Sequence, residues 1–148
     1  MIDASIVRVH QHGPRQKGWS RSLSGSFPGG LTTKIHALVD KHGRPIKLQL
    51  TAGEKSDIAS AEILIADLPE GAMLIVDKGY DANDLRAAVR ARKVWANIPP
   101  KANRKDPICF SKHLYRARNL VERFFNRIKQ FRRIATRYDK LAETSSPP

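Results

Sequence analysis

Four polar residues in the last third of the chain are spaced so that a helix would present them on one side. Tyr115, Arg118, Glu122 and Lys129 lie at −7, −4, 0 and +7 relative to the glutamate. With about 3.6 residues per turn they project within a narrow sector, and apolar residues such as Val121 fall on the adjacent sector. The spacing predicts an amphipathic helix that aims one carboxylate into a charged site.

Two further acids, Asp3 and Asp77, are candidates to share a site with Glu122. Asp3 lies in the first predicted strand, and Asp77 directly follows the apolar run 72–76 and precedes a glycine. Open α/β sheets bind ligands at the carboxyl ends of such strands. Three carboxylates can hold two Mg²⁺ ions about 3.5–4 Å apart, because Mg²⁺ is a hard cation that prefers oxygen ligands.

Each acid also has a simpler interpretation. Asp3 can be an exposed strand residue, and Asp77 can be a loop or capping residue. Glu122 can form an ordinary surface ion pair with Arg118 at i−4, which contributes only a few tenths of a kcal/mol. Asp81 is a rival acid near Asp77, but its position predicts a helix N-cap whose replacement by asparagine should be nearly neutral.

Positive charge is concentrated at the C-terminal end of the chain. The net charge is +13, and residues 101–148 carry 13 basic against 4 acidic groups. Such a block predicts a surface that binds a polyanion, with salt-sensitive and largely sequence-independent DNA affinity. Lysines and arginines in the segments 101–105 and 129–133 are the expected phosphate contacts: Lys101, Arg104, Lys105, Lys129, Arg132 and Arg133.

The composition otherwise describes an ordinary globular chain of one domain. Its 148 residues include 41% hydrophobic and 28% charged residues, and no apolar run approaches the roughly 18–20 residues of a membrane span. The single cysteine, Cys109, excludes a disulfide within the chain and a cysteine-rich zinc site. His10 and His12 lack a third ligand at zinc-like spacing, so loop or DNA-contact roles are preferred. A cytoplasmic location is expected.

The order of elements predicts an α/β fold. Strands are expected at 2–10, 31–40, 45–51, 72–76 and 94–98, and helices at 57–68, 81–93 and 112–133. Residues 11–30, rich in glycine, serine, proline and cations, are expected to form a mobile basic loop. We therefore expect a mixed sheet with helices on both sides, a hairpin at 31–51, and right-handed parallel crossovers at 45–76 and 72–98.

The helix pattern reads Y-x2-R-x3-E-x6-K, and it follows the segments LTTKIHALVD, IVDKGYDA and IPPKANRK. In this order the segments resemble those of bacterial insertion-sequence transposases of the DDE type, over nearly the whole chain. The resemblance implies an RNase H-like catalytic core spanning 1–142, with 143–148 as a tail. It also implies two Mg²⁺ or Mn²⁺ ions and transfer of transposon ends into target DNA.

When the family pattern is transferred position by position, the resemblance implies that the catalytic and metal-binding triad is Asp3, Asp77 and Glu122. Tyr115, Arg118 and Lys129 correspond to signature residues that support the acid and hold DNA phosphate. The implied partners are transposon-end and target DNA, a second copy of the chain on DNA, and an upstream-frame product; no membrane partner is expected.

The chain departs from the family pattern at both ends. Two residues precede Asp3, and the chain stops soon after D-K-L-A, so we expect a catalytic core that lacks flanking regions. The alternative function is an inactive DNA-binding fragment that competes with full-length transposase. The carboxylates separate the two, since DNA affinity alone would tolerate their loss.

Overall fold

The computed structural model describes residues 1–8, 25–27, 30–106 and 108–131. Its strands are β1 Ile2–Arg8, β2 Gly25–Phe27, β3 Gly30–Val39, β4 Pro45–Ala52, β5 Met73–Ile75 and β6 Trp95–Asn97. Its helices are α1 Asp57–Ile65, α2 Asn83–Ala91, α3 Lys112–Tyr115 and α4 Asn119–Lys129, with 3₁₀ turns at Lys78–Tyr80 and Arg116–Arg118.

The strands form two sheets. β3 pairs antiparallel with β1, β2 and β4, while β5 and β6 form a separate parallel pair. The α/β class, the hairpin and the crossover through α2 are therefore confirmed. The crossover expected at 45–76 stays a prediction, since among the described residues β4 pairs with β3 and β5 pairs with β6 in a separate sheet.

Side chains of β3 alternate between two cores, as the two-residue period of a strand requires. Leu38 packs with Ile2, α1, α2, Leu74 of β5 and Val76, which follows β5. Ile35, Ala37 and Val39 face the other way, against Val121, Phe124 and Phe125 of α4. Helices thus cover both faces, and β1 meets β5 through buried side chains rather than through a hydrogen-bonded ladder.

Two local expectations are corrected by the backbone. Residues 25–27 and 30, expected within the mobile loop, belong to β2 and β3. The rest of that loop, which includes His12, lies outside the described residues, as does His10 at the end of the first expected strand. The helix expected at 112–133 is interrupted by the 3₁₀ turn Arg116–Arg118. No helix among the described residues is long and apolar enough to cross a bilayer.

Candidate active site

Asp3 lies on β1 with its carboxylate largely buried. Its Oδ1 accepts a hydrogen bond of 2.9 Å from the Ala4 amide, and the side chain is 20% exposed. Burial raises the pKa of Asp3; the Ala4 amide and the Arg118 cation oppose that rise, while Asp77 and Glu122 add to it. Burial disfavours the ionised form of this carboxylate, so binding of a cation would stabilise it.

Asp77 follows β5, and its carboxylate caps the 3₁₀ turn Lys78–Tyr80. The Gly79 amide donates a short hydrogen bond to Asp77 Oδ1. A Cβ atom on residue 79 would lie 3.1 Å from that oxygen, which is tighter than most real contacts. The glycine therefore leaves room for the Asp77 carboxylate to turn back over the strand end, where it remains 39% exposed.

Glu122, in the first turn of α4, meets the other two acids at the guanidinium of Arg118. Arg118 Nη1 donates to Glu122 Oε1 at 2.5 Å, and Nη2 donates to Asp3 Oδ2 at 2.9 Å. The same Nη2 is 3.6 Å from Asp77 Oδ2. Asp3 Oδ2 and Asp77 Oδ2 therefore both lie within 3.6 Å of the same nitrogen.

Two contacts fix the start of the helical segment that carries Arg118 and Glu122. Asn97, fully buried at the end of β6, donates to the Ser111 carbonyl at 3.1 Å and accepts from the Ser111 amide at 2.9 Å. Ser111 in turn caps α3 through Leu114. Because β6 is parallel to β5, this tether joins α3 to the sheet edge that bears Asp77.

Tyr115 and Lys129, the other signature residues, have different surroundings. The Tyr115 ring packs edge-to-face on Phe110 with 5.3 Å between centroids, and burial raises the pKa of its hydroxyl while the Arg118 charge lowers it. Lys129 is exposed in the last turn of α4, and no ion pair joins it to an acid within the described ranges. The structure brings Tyr115 close to the acids and leaves Lys129 at the surface.

Tyr80 is a site neighbour that we did not single out from the sequence. The residue is 3% exposed, and its hydroxyl has no hydrogen-bond partner among the described residues. Burial raises its pKa, as do the negative charges of Asp57, Asp3 and Asp77. The available signal was the segment D-K-G-Y itself, in which the tyrosine closes the turn that Asp77 begins.

A second polar group links the start of α1 to β3 and β4. Lys34 Nζ lies 2.9 Å from Asp57 Oδ1, and His36 Nδ1 lies 3.8 Å from the same oxygen. His36 Nε2 is hydrogen-bonded to the Thr51 hydroxyl at 2.8 Å. Burial lowers the pKa of His36 despite Asp57, so the fully buried imidazole is neutral at physiological pH.

Asp81 is not the N-cap of α2, which corrects the expectation from sequence. α2 begins at Asn83 with Ala82 as its N-cap, and the Asp81 side chain is fully buried. Its oxygens accept from Arg86 at 2.7 Å, from Arg104 at 2.7 and 2.9 Å, and from the Lys101 amide at 2.7 Å. Burial alone would raise the pKa of Asp81, but these donors together hold it well below its usual range.

The expected DNA contacts divide into three groups. Lys101 and Lys105 are exposed in the loop after β6. Arg104 is held by Asp81 and also donates to Asn83 Oδ1 at 2.9 Å, so its guanidinium already has structural partners. Arg132 and Arg133 lie outside the described residues.

The acids supply oxygen donors, but not in an arrangement that holds an ion as they stand. Within the described ranges no group of three or more His, Cys, Asp or Glu side chains is placed to coordinate a metal. The Arg118 guanidinium lies between Asp3, Asp77 and Glu122 and contacts all three. The donor chemistry therefore fits a hard divalent cation, while the space between the donors is taken by the guanidinium.

Comparisons with known proteins agree on the family. The family model described as "Transposase DDE domain" matches residues 1–145. A protein of Brucella ovis, named as a transposase for insertion sequence element IS6501, is 37% identical over 111 residues, which cover 74% of this chain and 85% of that protein. No solved structure matches the chain.

Proposed function

The chain belongs to the DDE transposases of insertion sequences, and from that premise we propose that it cleaves phosphodiester bonds at transposon ends and joins them to target DNA. The proposed catalytic unit is an RNase H-like core over residues 1–142, with 143–148 as a tail. One observation carries the proposal: Asp3, Asp77 and Glu122, from three separate elements, converge on one guanidinium.

Asp3, Asp77 and Glu122 would hold two Mg²⁺ or Mn²⁺ ions, since carboxylate oxygens are the ligands that these cations prefer. Two such ions, when bound, stabilise the attacking and the leaving oxygens of an in-line displacement at phosphorus. The fit rests on the donor set of three acids: Asp3 on a strand, Asp77 at a strand end and Glu122 on a helix. It requires that Arg118 leave the space between them.

The protein's own residues supply orientation and charge. The Gly79 amide holds Asp77 over the end of β5, and the Ala4 amide orients Asp3 on β1. Tyr80 is buried and feels the charges of Asp3 and Asp77, and its proposed role is to keep water from the buried side of the site. The exposed Lys101, Lys105 and Lys129 are the proposed phosphate contacts, because cations that neutralise phosphates release the counterions condensed on DNA.

A strand-transfer assay run beside a DNA-binding assay tests the proposal. With Mn²⁺ and a duplex carrying the terminal repeats, Asp77→Asn and Glu122→Gln should each lower transfer by orders of magnitude, because each removes a negative ligand while keeping size. DNA affinity should persist or rise, since one negative charge near the phosphates has gone. Asp84→Asn, an exposed acid on α2, is the matched control.

The outcomes separate the two functions. Undiminished transfer by Glu122→Gln would remove that residue from the catalytic unit. A parent protein that binds DNA, keeps that affinity when Asp77 or Glu122 is replaced, and yet transfers nothing in Mn²⁺ would instead be the DNA-binding fragment.

A further inference from the structure

Arg118 occupies the centre of the acidic group rather than its edge. Its two terminal nitrogens contact Asp3 at 2.9 Å, Glu122 at 2.5 Å and Asp77 at 3.6 Å. An isolated i,i+4 pair with Glu122 would leave the guanidinium facing solvent, whereas this side chain is only 17% exposed. Arg118 is therefore the shared counter-cation of all three acids.

A guanidinium and a metal ion cannot both occupy that position. Mg²⁺ needs its oxygen ligands at about 2.0–2.1 Å in a nearly octahedral arrangement. Here the donors are separated by the width of the guanidinium, and no three acidic or ligating side chains in the described part of the chain are close enough to share an ion. Either the acids do not bind metal together, or Arg118 moves when they do.

We propose, on the basis of the function proposed above, that Arg118 is a resident cation that divalent metal displaces from Asp3, Asp77 and Glu122, and that the displaced guanidinium then binds a DNA phosphate. The exchange couples the two binding events. Metal entry frees the arginine for phosphate, and phosphate keeps the arginine away from the acids, so each ligand raises the affinity for the other.

Two features of Arg118 fit the second half of the exchange. Its Nε is buried and has no hydrogen-bond partner among the described residues, so the present position leaves one donor unsatisfied. The planar fork of a guanidinium also matches the oxygens of a phosphate in a bidentate way, which a lysine ammonium does not. The residue lies in the 3₁₀ turn Arg116–Arg118, between the anchored start of α3 and the buried face of α4.

Metal binding without DNA provides the first test. Titration of Mn²⁺ into the protein, followed by calorimetry and by the electron paramagnetic resonance signal of free Mn²⁺, gives the dissociation constant directly. Arg118→Gln should bind Mn²⁺ about tenfold more tightly than the parent, since the ion no longer competes with charge-assisted hydrogen bonds. Arg118→Lys, which keeps the charge but cannot bridge three acids, should lie between the two.

Arg116→Gln is the matched control, because Arg116 is an exposed arginine in the same 3₁₀ turn. It removes the same charge and should change the Mn²⁺ dissociation constant by less than about twofold. Unchanged or weaker Mn²⁺ binding by Arg118→Gln, with native circular dichroism, would overturn the displacement. If the parent itself binds no Mn²⁺, or if Asp77→Asn binds it as tightly as the parent, the proposed metal site fails and the exchange fails with it.

DNA affinity provides the second test. In EDTA the Arg118→Gln variant should bind a duplex at most about twofold more weakly than the parent, because the arginine of the parent is held by the acids and its lost charge acts on the phosphates only through screened electrostatics. In Ca²⁺ at matched ionic strength, Arg118→Gln should bind at least about fivefold more weakly than the parent, since only the parent can offer the freed guanidinium. An equal loss in both conditions, or no loss in either, would contradict the coupling.

Discussion

Asp3 and Asp81 are both poorly exposed aspartates, yet their surroundings act on them in opposite directions. Asp81 accepts hydrogen bonds from two arginines and a backbone amide, which outweigh its burial and lower its pKa. Asp3 has one arginine shared with two other acids, and burial raises its pKa. Ionised Asp81 therefore stabilises the fold, whereas ionised Asp3 costs stability until a cation compensates it.

We predict that Asp81→Asn lowers the free energy of unfolding by about 3 kcal/mol, because it leaves Arg86 and Arg104 poorly paired in a buried site. Urea denaturation at pH 7 in metal-free buffer measures the effect. The Asp81 contribution is complete above the unfolded pKa of about 3.9 and is lost as pH falls towards the lower folded pKa. The difference between parent and variant should therefore narrow below about pH 4.

For Asp3, the same urea denaturation should show the opposite effect on the free energy of unfolding. Asp3→Asn should unfold at an equal or higher free energy than the parent at pH 7, by up to about 1 kcal/mol, since it removes a charge that the fold disfavours. A raised folded pKa also means that protonation of Asp3 stabilises the parent as pH falls through that pKa. A loss at Asp3 as large as that at Asp81 would contradict this account.

At the scale of elements, the turn after β5 owes its shape to a glycine. A Cβ atom at residue 79 would press on Asp77 Oδ1, whereas a Cβ at Gly71 would meet nothing within 4 Å but would sit at a φ of +79°. The two glycines are therefore needed for different reasons. Gly79 leaves space for a functional side chain, and Gly71 adopts a backbone conformation that other residues rarely adopt.

We predict that Gly79→Ala weakens Mn²⁺ binding several-fold while changing the free energy of unfolding by less than about 0.5 kcal/mol, because the displaced Asp77 carboxylate is partly exposed. Gly71→Ala is the paired control: it should cost about 1 kcal/mol and leave Mn²⁺ binding unchanged. Mn²⁺ titration and urea denaturation of both variants check the prediction. The reverse pattern would show that the Asp77 carboxylate does not depend on this turn.

The sequence predicted helices and strands where the side chains of a single segment were enough to indicate the type of element. The segment 31–40 and the apolar run 72–76 were predicted as strands, and the structure has strands at Gly30–Val39 and Met73–Ile75. The break at Arg116–Arg118 was not predictable, because no proline or glycine occurs between 111 and 131 to mark it. We attribute it to tertiary anchors on either side, Ser111 on Asn97 and Val121 in the core under α4.

The sequence identified candidate site residues, but not the residues that they contact. A predicted strand, the end of an apolar run and the helix pattern made Asp3, Asp77 and Glu122 candidates. Their joint action in catalysis stays a prediction. The role of Asp81 was missed because its partner Arg104 is 23 positions away and the local pattern resembles a cap. Long-range ion pairs leave no periodic signal in a single sequence, so only coordinates reveal them.

At the scale of the whole molecule, the uneven distribution of positive charge predicts the response to salt. Lys101→Gln with Lys105→Gln should reduce the slope of log affinity against log salt by roughly 1–2, since each lost phosphate contact removes about 0.9. Fluorescence anisotropy on duplex DNA across a salt series measures it. Arg132 and Arg133 are expected from sequence to behave in the same way.

The Arg104→Gln variant distinguishes an arginine that stabilises the fold from one that contacts DNA phosphate. Its guanidinium is bound to Asp81 and Asn83, so the variant should lose stability and change the salt slope by less than about 0.3. A slope reduced as much as by the lysine substitutions would restore Arg104 as a phosphate contact.

The bond between Arg118 and Asp3 joins residues 115 positions apart, and this separation orders events during synthesis. The ribosome makes the strand that bears Asp3 first and adds the helical segment only on the order of ten seconds later. Until then the nascent chain exposes two acids without the arginine that balances them. A messenger cut or stopped upstream of codon 122 would therefore release a product that lacks at least one of the three proposed catalytic acids, so the proposed activity requires translation past that point.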